Sequence, residues 1–252
     1  MTVAIIGSGN VAAVLGRLAL NSEHIVVHVA SRNIANAERL AKELDATSSG
    51  FDGLPTIHAD IIIVAVADIA IAQCTSFLNS AKTLIVHTAG AVQMDVLQPV
   101  SDRYGVLYPL QSLRKEMLPT DDVPFLIDGN TEGTKNKIEE FASSLSNNVT
   151  HANDDERLKH HAAAVIVNNF TNHLYALTEE FCMKENIAFK TLLPLIRETT
   201  GRLSTFSAAV LQTGPAFRQD TETMERHKNI FDAYPALRKM YDTFSESIMS
   251  RI

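Results

Sequence analysis

The chain has 252 residues, of which 46% are hydrophobic and 20% are charged, and this composition excludes a largely disordered protein. The formal net charge of −7 disfavours nucleic acid as a partner, because an acidic surface repels a phosphate backbone. The apolar runs near residues 61–72 and 162–167 are too short to span a bilayer. Two cysteines without paired spacing favour a reducing compartment, so we expect a soluble cytoplasmic protein with no membrane partner.

Residues 2–150 alternate between short apolar runs and segments of helical or loop character. Near-continuous runs of Val, Ile, Leu and Ala are typical of strands that a parallel sheet buries on both faces. Val11–Asn21 and Ile34–Leu44 have helical apolar spacing, and this order predicts an α/β fold with a doubly wound, mostly parallel sheet. The predicted strands are Thr2–Ile6, His24–Ala30, Asp60–Val66, Lys82–Thr88, Tyr104–Tyr108 and Pro124–Ile127.

After residue 150 the strand pattern ends and helical periodicity takes over. The predicted helical segments are Asp154–Lys184, Phe189–Leu211, Asp220–Phe231 and Pro235–Arg251. Asn153, Asp154 and Asp155 are residue types that cap the start of a helix. The change of pattern predicts two domains, an α/β domain at residues 1–150 and an all-α domain at residues 151–252.

A glycine-rich turn follows the first predicted strand and reads Gly7-Ser8-Gly9-Asn10-Val11-Ala12. This is the G-x-G-x-x-A form of the dinucleotide fingerprint, in the strand–turn–helix context that the motif requires. The first glycine allows the tight turn, the second lets the backbone approach a pyrophosphate, and the alanine allows close helix–strand contact. Residues 1–150 are therefore predicted to be an NAD(P)-binding Rossmann domain, with a tight turn that binds no ligand as the alternative. The predicted cofactor residues here are Gly7, Ser8, Gly9, Asn10 and Val11.

The end of the second predicted strand indicates which cofactor is bound. An NAD site usually places a carboxylate there for the ribose hydroxyls, whereas this sequence has Ser31-Arg32-Asn33. Arg32 can pair with a 2′-phosphate, and Ser31 and Asn33 can donate hydrogen bonds to it. We therefore predict NADP (NADPH) over NAD, with the alternative that Arg32 is a solvated loop cation.

Small and polar residues follow three further strands, at the sheet edge where ligands of open α/β sheets bind. His87 is either a proton donor or a hydrogen-bonded structural residue. The cofactor residues predicted at this edge are Ala65, Val66, Ala67, His87, Thr88 and Ala89, and the substrate-binding residues are Gln111 and Ser112.

The segment Asp154–Lys184 has a polar stripe opposite an apolar face. The stripe consists of Arg157, His161, Asn168, Asn172 and Tyr175, and the apolar face of Ala163, Ile166, Phe170, Leu174 and Leu177. Aligned amides and a histidine suit a substrate wall, while a solvated face or a hydrogen-bonded seam between helices explains them equally well. His161 is the preferred general acid, since an unperturbed histidine titrates near neutrality, and Asn168 and Asn172 complete the predicted catalytic set.

Arg218, which follows Thr213-Gly214-Pro215, is the third predicted substrate-binding residue, because a guanidinium can hold a substrate carboxylate in bidentate fashion. Asp220 is predicted to cap the next helix. The histidines at 160, 161 and 173 do not share a helix face, so no metal site is predicted.

These motifs resemble the superfamily of 6-phosphogluconate dehydrogenase and the β-hydroxyacid dehydrogenases. In layout the chain is nearer to pyrroline-5-carboxylate reductase, ketopantoate reductase and deazaflavin-dependent NADP oxidoreductase. It is most similar to a bacterial branch of Rossmann-like NADP oxidoreductases whose C-terminal helical domain has no assigned function. The residues that carry the resemblance are the glycine turn, Asp60–Asp68, Tyr108–Ser112, His161–Leu174 and Thr213–His227.

The resemblance implies a 6-phosphogluconate dehydrogenase C-terminal-like helical domain, a substrate in the cleft between the domains, and a homodimer formed through the helices. One feature departs from the superfamily pattern: Val165 stands where β-hydroxyacid dehydrogenases carry a lysine shortly before the Asn pair. The lysine's acid/base role therefore does not carry over, and His161 is the proposed substitute. We expect an NADP-dependent oxidoreductase acting on a small carbonyl or imine compound, with an NADP(H)-binding redox or metabolite sensor as the alternative.

Overall fold

The computed structural model of the chain describes residues 1–78, 82–116 and 122–251, without the side chains of Pro55 and Thr56. The chain divides into two compact units, Met1–Val165 and Ile166–Ile252. The first unit extends past the predicted boundary at residue 150, because the helix that begins at Asp154 is bonded to it. Asp154 accepts from the Met94 amide, and Arg157 donates to the Val92 carbonyl.

The first unit is built on a sheet of eight described strands in the order β3-β2-β1-β4-β5-β6-β7-β8. All neighbouring pairs are parallel except β6 and β7, so the predicted mostly parallel Rossmann sheet is confirmed. The strands are β1 Thr2–Ile6, β2 Ile25–Ala30, β3 Thr47–Ser49, β4 Ile61–Val64, β5 Leu84–His87, β6 Tyr104–Pro109, β7 Phe125–Gly129 and β8 Val149–His151.

The six predicted strands are all present, and the structure adds β3 and β8. Neither has an apolar run, and β3 is the polar tripeptide Thr47-Ser48-Ser49. Side-chain pairing across the strands stabilises it instead, since the His28 ring on β2 is hydrogen-bonded to the hydroxyls of Thr47 and Ser49 at 2.7 and 2.8 Å. A strand held by such pairs leaves no hydrophobic pattern in the sequence.

Helices cover both faces of this sheet. The α-helices of the first unit are α1 Asn10–Asn21, α2 Ile34–Glu43, α3 Ile71–Thr75, α4 Glu132–Leu145 and α5 Asp154–Ala164. One face packs α1, α2 and α4 against Val3 and Ile5 of β1, and α3 packs on the other face with Ala4 and Ile6. The sequence analysis does not predict α4, although its buried residues Ile138, Phe141, Ala142 and Leu145 recur at helical spacing.

The second unit is helical throughout its regular structure, as predicted. The division between the units falls within a π-helical segment, Val165–Phe170, whose first residue belongs to the first unit. The α-helices of the second unit are α6 Thr171–Lys184, α7 Leu193–Gly201, α8 Thr221–Phe231 and α9 Pro235–Met249. The helix predicted over Phe189–Leu211 ends at Ser204, where the Ser204 hydroxyl bonds to the Gly201 carbonyl and competes with the helical pattern. Asp220 caps α8 as predicted, accepting from the Thr223 amide at 3.1 Å.

Candidate functional site

The glycine turn lies at the carboxyl edge of the sheet, wedged between the ends of β2 and β4. Gly7 has a φ of +126°, and its amide donates to the Ala30 carbonyl at 2.8 Å. A Cβ at Gly7 would lie 2.1 Å from the carbonyl oxygen of Ala65, so only glycine fits. The turn therefore needs glycine both for its conformation and for its contact with the end of β4.

The space beside Gly9 is open, as a cofactor site requires. Gly9 is the N-cap of α1, and a Cβ built on it meets nothing within 4 Å. No side chain caps this helix, so its first amides remain available to an anion. The pyrophosphate of a dinucleotide fits both features.

The residues at the end of β2 are the second part of the candidate cofactor site. The hydroxyls of Ser8 and Ser31 are 2.9 Å apart, which joins the glycine turn to this strand end. Arg32 is exposed and makes no hydrogen bond or ion pair with a described residue. Asn33 caps α2, because its Oδ1 accepts from the Asn36 amide at 3.2 Å. The oxygen of Asn33 is thus occupied, and its NH₂ group is what could reach a phosphate.

Tyr108 and His161 form a hydrogen-bonded pair at the same end of the first unit. The Tyr108 hydroxyl lies 2.8 Å from Nδ1 of His161, and the two rings meet edge to face. A Cβ on Gly90 would lie 2.7 Å from Nδ1 of His161 and 2.9 Å from Cζ of Tyr108. Gly90 therefore leaves the room in which the pair forms. This contact joins three separate segments of the chain: the loop after β5, the end of β6, and α5.

The phenol of Tyr108 is held in its protonated form. Burial raises the pKa of Tyr108, and the negative charge of Asp68 raises it further, against an opposing effect of Arg157. A protonated hydroxyl can donate to Nδ1 of His161, and in the tautomer that accepts this bond the ring proton is on Nε2.

Two buried polar side chains, His87 and Arg157, belong to the same part of the first unit, and Arg157 is paired with the half-buried Asp154. Arg157 is 1% exposed; its Nη2 donates to the Val92 carbonyl and, at 2.6 Å, to Asp154. Nδ1 of His87 accepts from the Ala89 amide at 3.2 Å. Among the described residues, Nε2 of His87 and the Nε and Nη1 of Arg157 have no hydrogen-bond partner.

His87 is uncharged in this environment. Burial lowers the pKa of His87 to about 4, and the charge of Arg157 adds to the effect, with Asp154 and the Gln93 backbone opposing it. An imidazole that is fully buried and hydrogen-bonded to a backbone amide favours the structural role over the proton-donor role. The sequence left both roles open.

The other predicted residues at the sheet edge divide into anchored and exposed groups. The Ala65 amide donates to the Ile6 carbonyl, and the amide of Thr88 donates to the Val64 carbonyl. Gln111 and Ser112 are exposed, and Val66 is half-buried. Asn10 accepts from the Lys115 amide at 3.4 Å. Gly7, Ser8, Ser31, Ala65, His87, Thr88 and His161 all belong to the first unit.

Asn168, Asn172 and Arg218 belong to the second unit, and all three are exposed. Their alignment with His161 was inferred from a regular α-helical period. The segment Val165–Phe170 is π-helical, with i→i+5 hydrogen bonds, so that period does not continue across it. The side chains predicted to form a packed apolar face are exposed as well, since Ile166 is 60% exposed and Phe170 is 58% exposed. Asn168, Asn172 and Arg218 stay predictions.

The sequence reasoning missed three contributors to the site, namely Tyr108 as the partner of His161, Gly90 as the residue that makes room for both, and Asp68 as a nearby charge. Tyr108 and Asp68 both stand in motifs at strand ends, so their position was predictable. The contact between Tyr108 and His161 was not, because it depends on how α5 packs.

Comparisons with known proteins relate the chain to two family models and to several solved structures. Residues 2–90 match the family model described as NADP oxidoreductase coenzyme F420-dependent, and residues 123–248 match the model of a domain of unknown function, DUF2520. A search of curated proteins finds no match. Among solved structures, the Bacteroides fragilis protein BF3122, described as a "putative NADP oxidoreductase", is 33% identical over 99% of this chain and 98% of its own, with a TM-score of 0.90.

Two more distant structures share the fold. The 1-pyrroline-5-carboxylate reductase of Streptococcus pyogenes is 13% identical, over 99% of this chain and 98% of its own, with a TM-score of 0.64. An imine reductase from Myxococcus stipitatus, solved with NADP⁺, is 16% identical over 99% of this chain and 93% of its own, with a TM-score of 0.67.

The fold, the glycine turn and these relationships define an NADP-dependent oxidoreductase with an N-terminal Rossmann domain and a helical C-terminal region. Within that class, the chain belongs to the DUF2520 family, whose model matches residues 123–248. The predicted resemblance to NADP oxidoreductases, the fold class, the enzyme class and the cofactor are confirmed. Among the residues that the structure describes, no helix is both long enough and apolar enough to cross a membrane.

Proposed function

We propose that this protein uses NADPH to reduce a small carbonyl or imine compound, with His161 as the proton donor. The observation that carries the proposal is the Tyr108–His161 hydrogen bond of 2.8 Å, at the edge of the sheet where open α/β folds bind their ligands. It is supported by the structural relatives, which include an imine reductase and a 1-pyrroline-5-carboxylate reductase.

The roles of the side chains follow from the hydrogen bond. When bound, the cofactor supplies the hydride. Tyr108 occupies Nδ1 of His161 and fixes the ring, so Nε2 is free to donate a proton to the reacting oxygen or nitrogen. Asn168 or Asn172 would hold that atom by a hydrogen bond. Gln111, Ser112 and Arg218 are the proposed substrate contacts.

The test is His161→Ala, measured against His160→Ala. His160 is the matched control because it is exposed, and its Nδ1 is bonded to the Glu156 carbonyl of its own helix. We expect His161→Ala to reduce turnover by about 10²–10⁴-fold, the usual contribution of general acid catalysis, with NADPH affinity nearly unchanged. Unchanged turnover in His161→Ala would remove the histidine from the mechanism.

The second candidate function is NADP(H) sensing without turnover. It is favoured by Val165, which stands where the superfamily carries its acid/base lysine. The absorbance of NADPH, followed with a panel of keto acids, aldehydes, ketones and cyclic imines, distinguishes the reductase from the sensor. Tight nucleotide binding with no oxidation on any of these compounds would favour the sensor.

We also propose a homodimer, formed through the second unit, in the cytoplasm. Large apolar side chains stand exposed on this unit, among them Val167 at 71%, Met183 at 71% and Val210 at 74%. Exposed apolar groups in such number mark an interaction surface, and a second copy is the occupant we propose. Both cysteines are free and buried, which suits a reducing compartment. Sedimentation at two protein concentrations would show a monomer if the dimer is wrong.

A further inference from the structure

A groove between α1 and α2 opens toward the cofactor site. Its volume is about 390 Å³, and its lining includes Ser8, Arg17, Asn36, Arg39, Glu43 and Lys115. Ser8 belongs to the glycine turn, and its hydroxyl lies 2.9 Å from that of Ser31. One end of the groove therefore meets the end of β2, where the adenosine ribose of a dinucleotide lies in this fold.

The cations of the groove differ in whether they are already paired. Arg17 forms an ion pair with Glu43 and also donates to the Lys115 carbonyl. Arg39 has no ion pair with any described residue, and its hydrogen bond is from Nη2 to Oδ1 of Asn36, at 2.8 Å. The charge of Arg39 is therefore available to a ligand.

That hydrogen bond also directs the guanidinium of Arg39. Asn36 lies in the first turn of α2, and its amide is capped by Asn33, the residue that follows Arg32. Because Arg39 is bonded to Asn36, its side chain extends back toward the start of α2, where the helix dipole also favours an anion.

Arg32 is a second exposed cation at this strand end, because it follows Ser31 directly and makes no hydrogen bond or ion pair with a described residue. Arg32 and Arg39 therefore both carry a charge that no described carboxylate pairs with.

We propose that Arg39 is a second specificity-determining cation for the 2′-phosphate of NADPH, acting from the α1–α2 groove together with Arg32. A phosphate monoester carries about −1.5 to −2 charges at neutral pH, which two arginines balance better than one. A guanidinium can also donate two parallel hydrogen bonds to phosphate oxygens. NADH lacks this phosphate, so Arg39 distinguishes the two cofactors without contributing to the binding of NADH.

The test measures the dissociation constants of NADPH and NADH by calorimetry for Arg39→Gln. Arg103→Gln is the matched control, because it removes the same charge from an exposed residue that lies far from the cofactor site. Arg103 directly precedes β6, so it lies at the amino ends of the parallel strands, whereas the cofactor site lies at their carboxyl ends. We expect Arg39→Gln to weaken NADPH by about tenfold or more and NADH by less than about twofold. The control should change neither constant by more than about twofold.

Smaller ligands isolate the phosphate itself. We expect adenosine 2′,5′-bisphosphate to bind Arg39→Gln more weakly than the wild type, with 5′-AMP unaffected, and Arg39→Lys to recover part of the loss. Equal weakening of NADPH and NADH, an unchanged NADPH constant, or an equal effect of Arg103→Gln would each overturn the proposal. Thermal unfolding of each variant without nucleotide shows whether a loss of binding reflects a loss of fold.

Discussion

Replacing Gly90 by alanine tests the arrangement of Tyr108 and His161 directly. The added Cβ would lie 2.7 Å from Nδ1 and 2.8 Å from Cγ of His161, and 2.9 Å from Cζ of Tyr108. Distances this short require the rings to move apart. Loss of their hydrogen bond costs about 0.5–1.5 kcal/mol, and overpacking adds about 1–3 kcal/mol. We therefore expect Gly90→Ala to lower the free energy of unfolding by about 1.5–4.5 kcal/mol.

The control for this variant is Gly133→Ala on α4. A Cβ there meets nothing within 4 Å, and alanine is the better helix former, so we expect a gain of up to about 1 kcal/mol. Urea unfolding measures both variants, and NADPH oxidation measures the effect on turnover. The same protein preparations give NADPH affinity, which Gly90→Ala should leave intact. Wild-type stability and turnover in Gly90→Ala would refute the close contact of these residues.

Two other predictions concern Arg32 in the candidate cofactor site and the buried side chain of His87. Arg32→Asp should weaken NADPH binding much more than NADH binding, by about 1.5–3 kcal/mol, and equal losses in a titration of both would remove Arg32 from 2′-phosphate recognition. The pKa of His87 is lowered from 6.5 to about 4 in the folded protein. Between these pH values the imidazole is neutral when folded and protonated when unfolded, so unfolding takes up a proton. The free energy of unfolding therefore falls as the pH drops from 6.5 to about 4, by up to about 3 kcal/mol. Urea unfolding of His87→Gln at pH 4.5 and 7 should show a smaller pH dependence than the wild type, and an unchanged dependence would contradict the neutral, buried imidazole.

The cofactor half of the site was predictable from sequence because it is local. The glycine turn, its strand and its helix are contiguous, and the backbone constraints at Gly7 act on neighbouring residues. Ser31 and Arg32 follow the next strand directly, so their place at the carboxyl edge also follows from chain order. The strands that were missed, β3 and β8, lack apolar runs, and nothing in hydrophobic periodicity could indicate them.

The surroundings of His161, the proposed proton donor, were only partly predictable because they depend on packing between distant segments. His161 was identified by residue type and helical position, but its partner lies on β6 and its space depends on Gly90. Extending the stripe to Asn168 assumed a constant helical period, which the π-helical segment interrupts. Residue spacing predicts shared faces only while the helix type stays the same.

Arg157 explains why His161, and not His160, meets Tyr108. Residues four apart share a helix face, so a buried Arg157 on α5 sets the direction of His161 one turn later. The guanidinium is fixed by Asp154 and the Val92 carbonyl, in the loop that follows Gly90. His160 lies on the next face, and its ring bonds back to the Glu156 carbonyl. The same loop thus supplies both the anchor that orients α5 and the glycine that admits the His161 ring, so a change in either one acts on the Tyr108–His161 hydrogen bond.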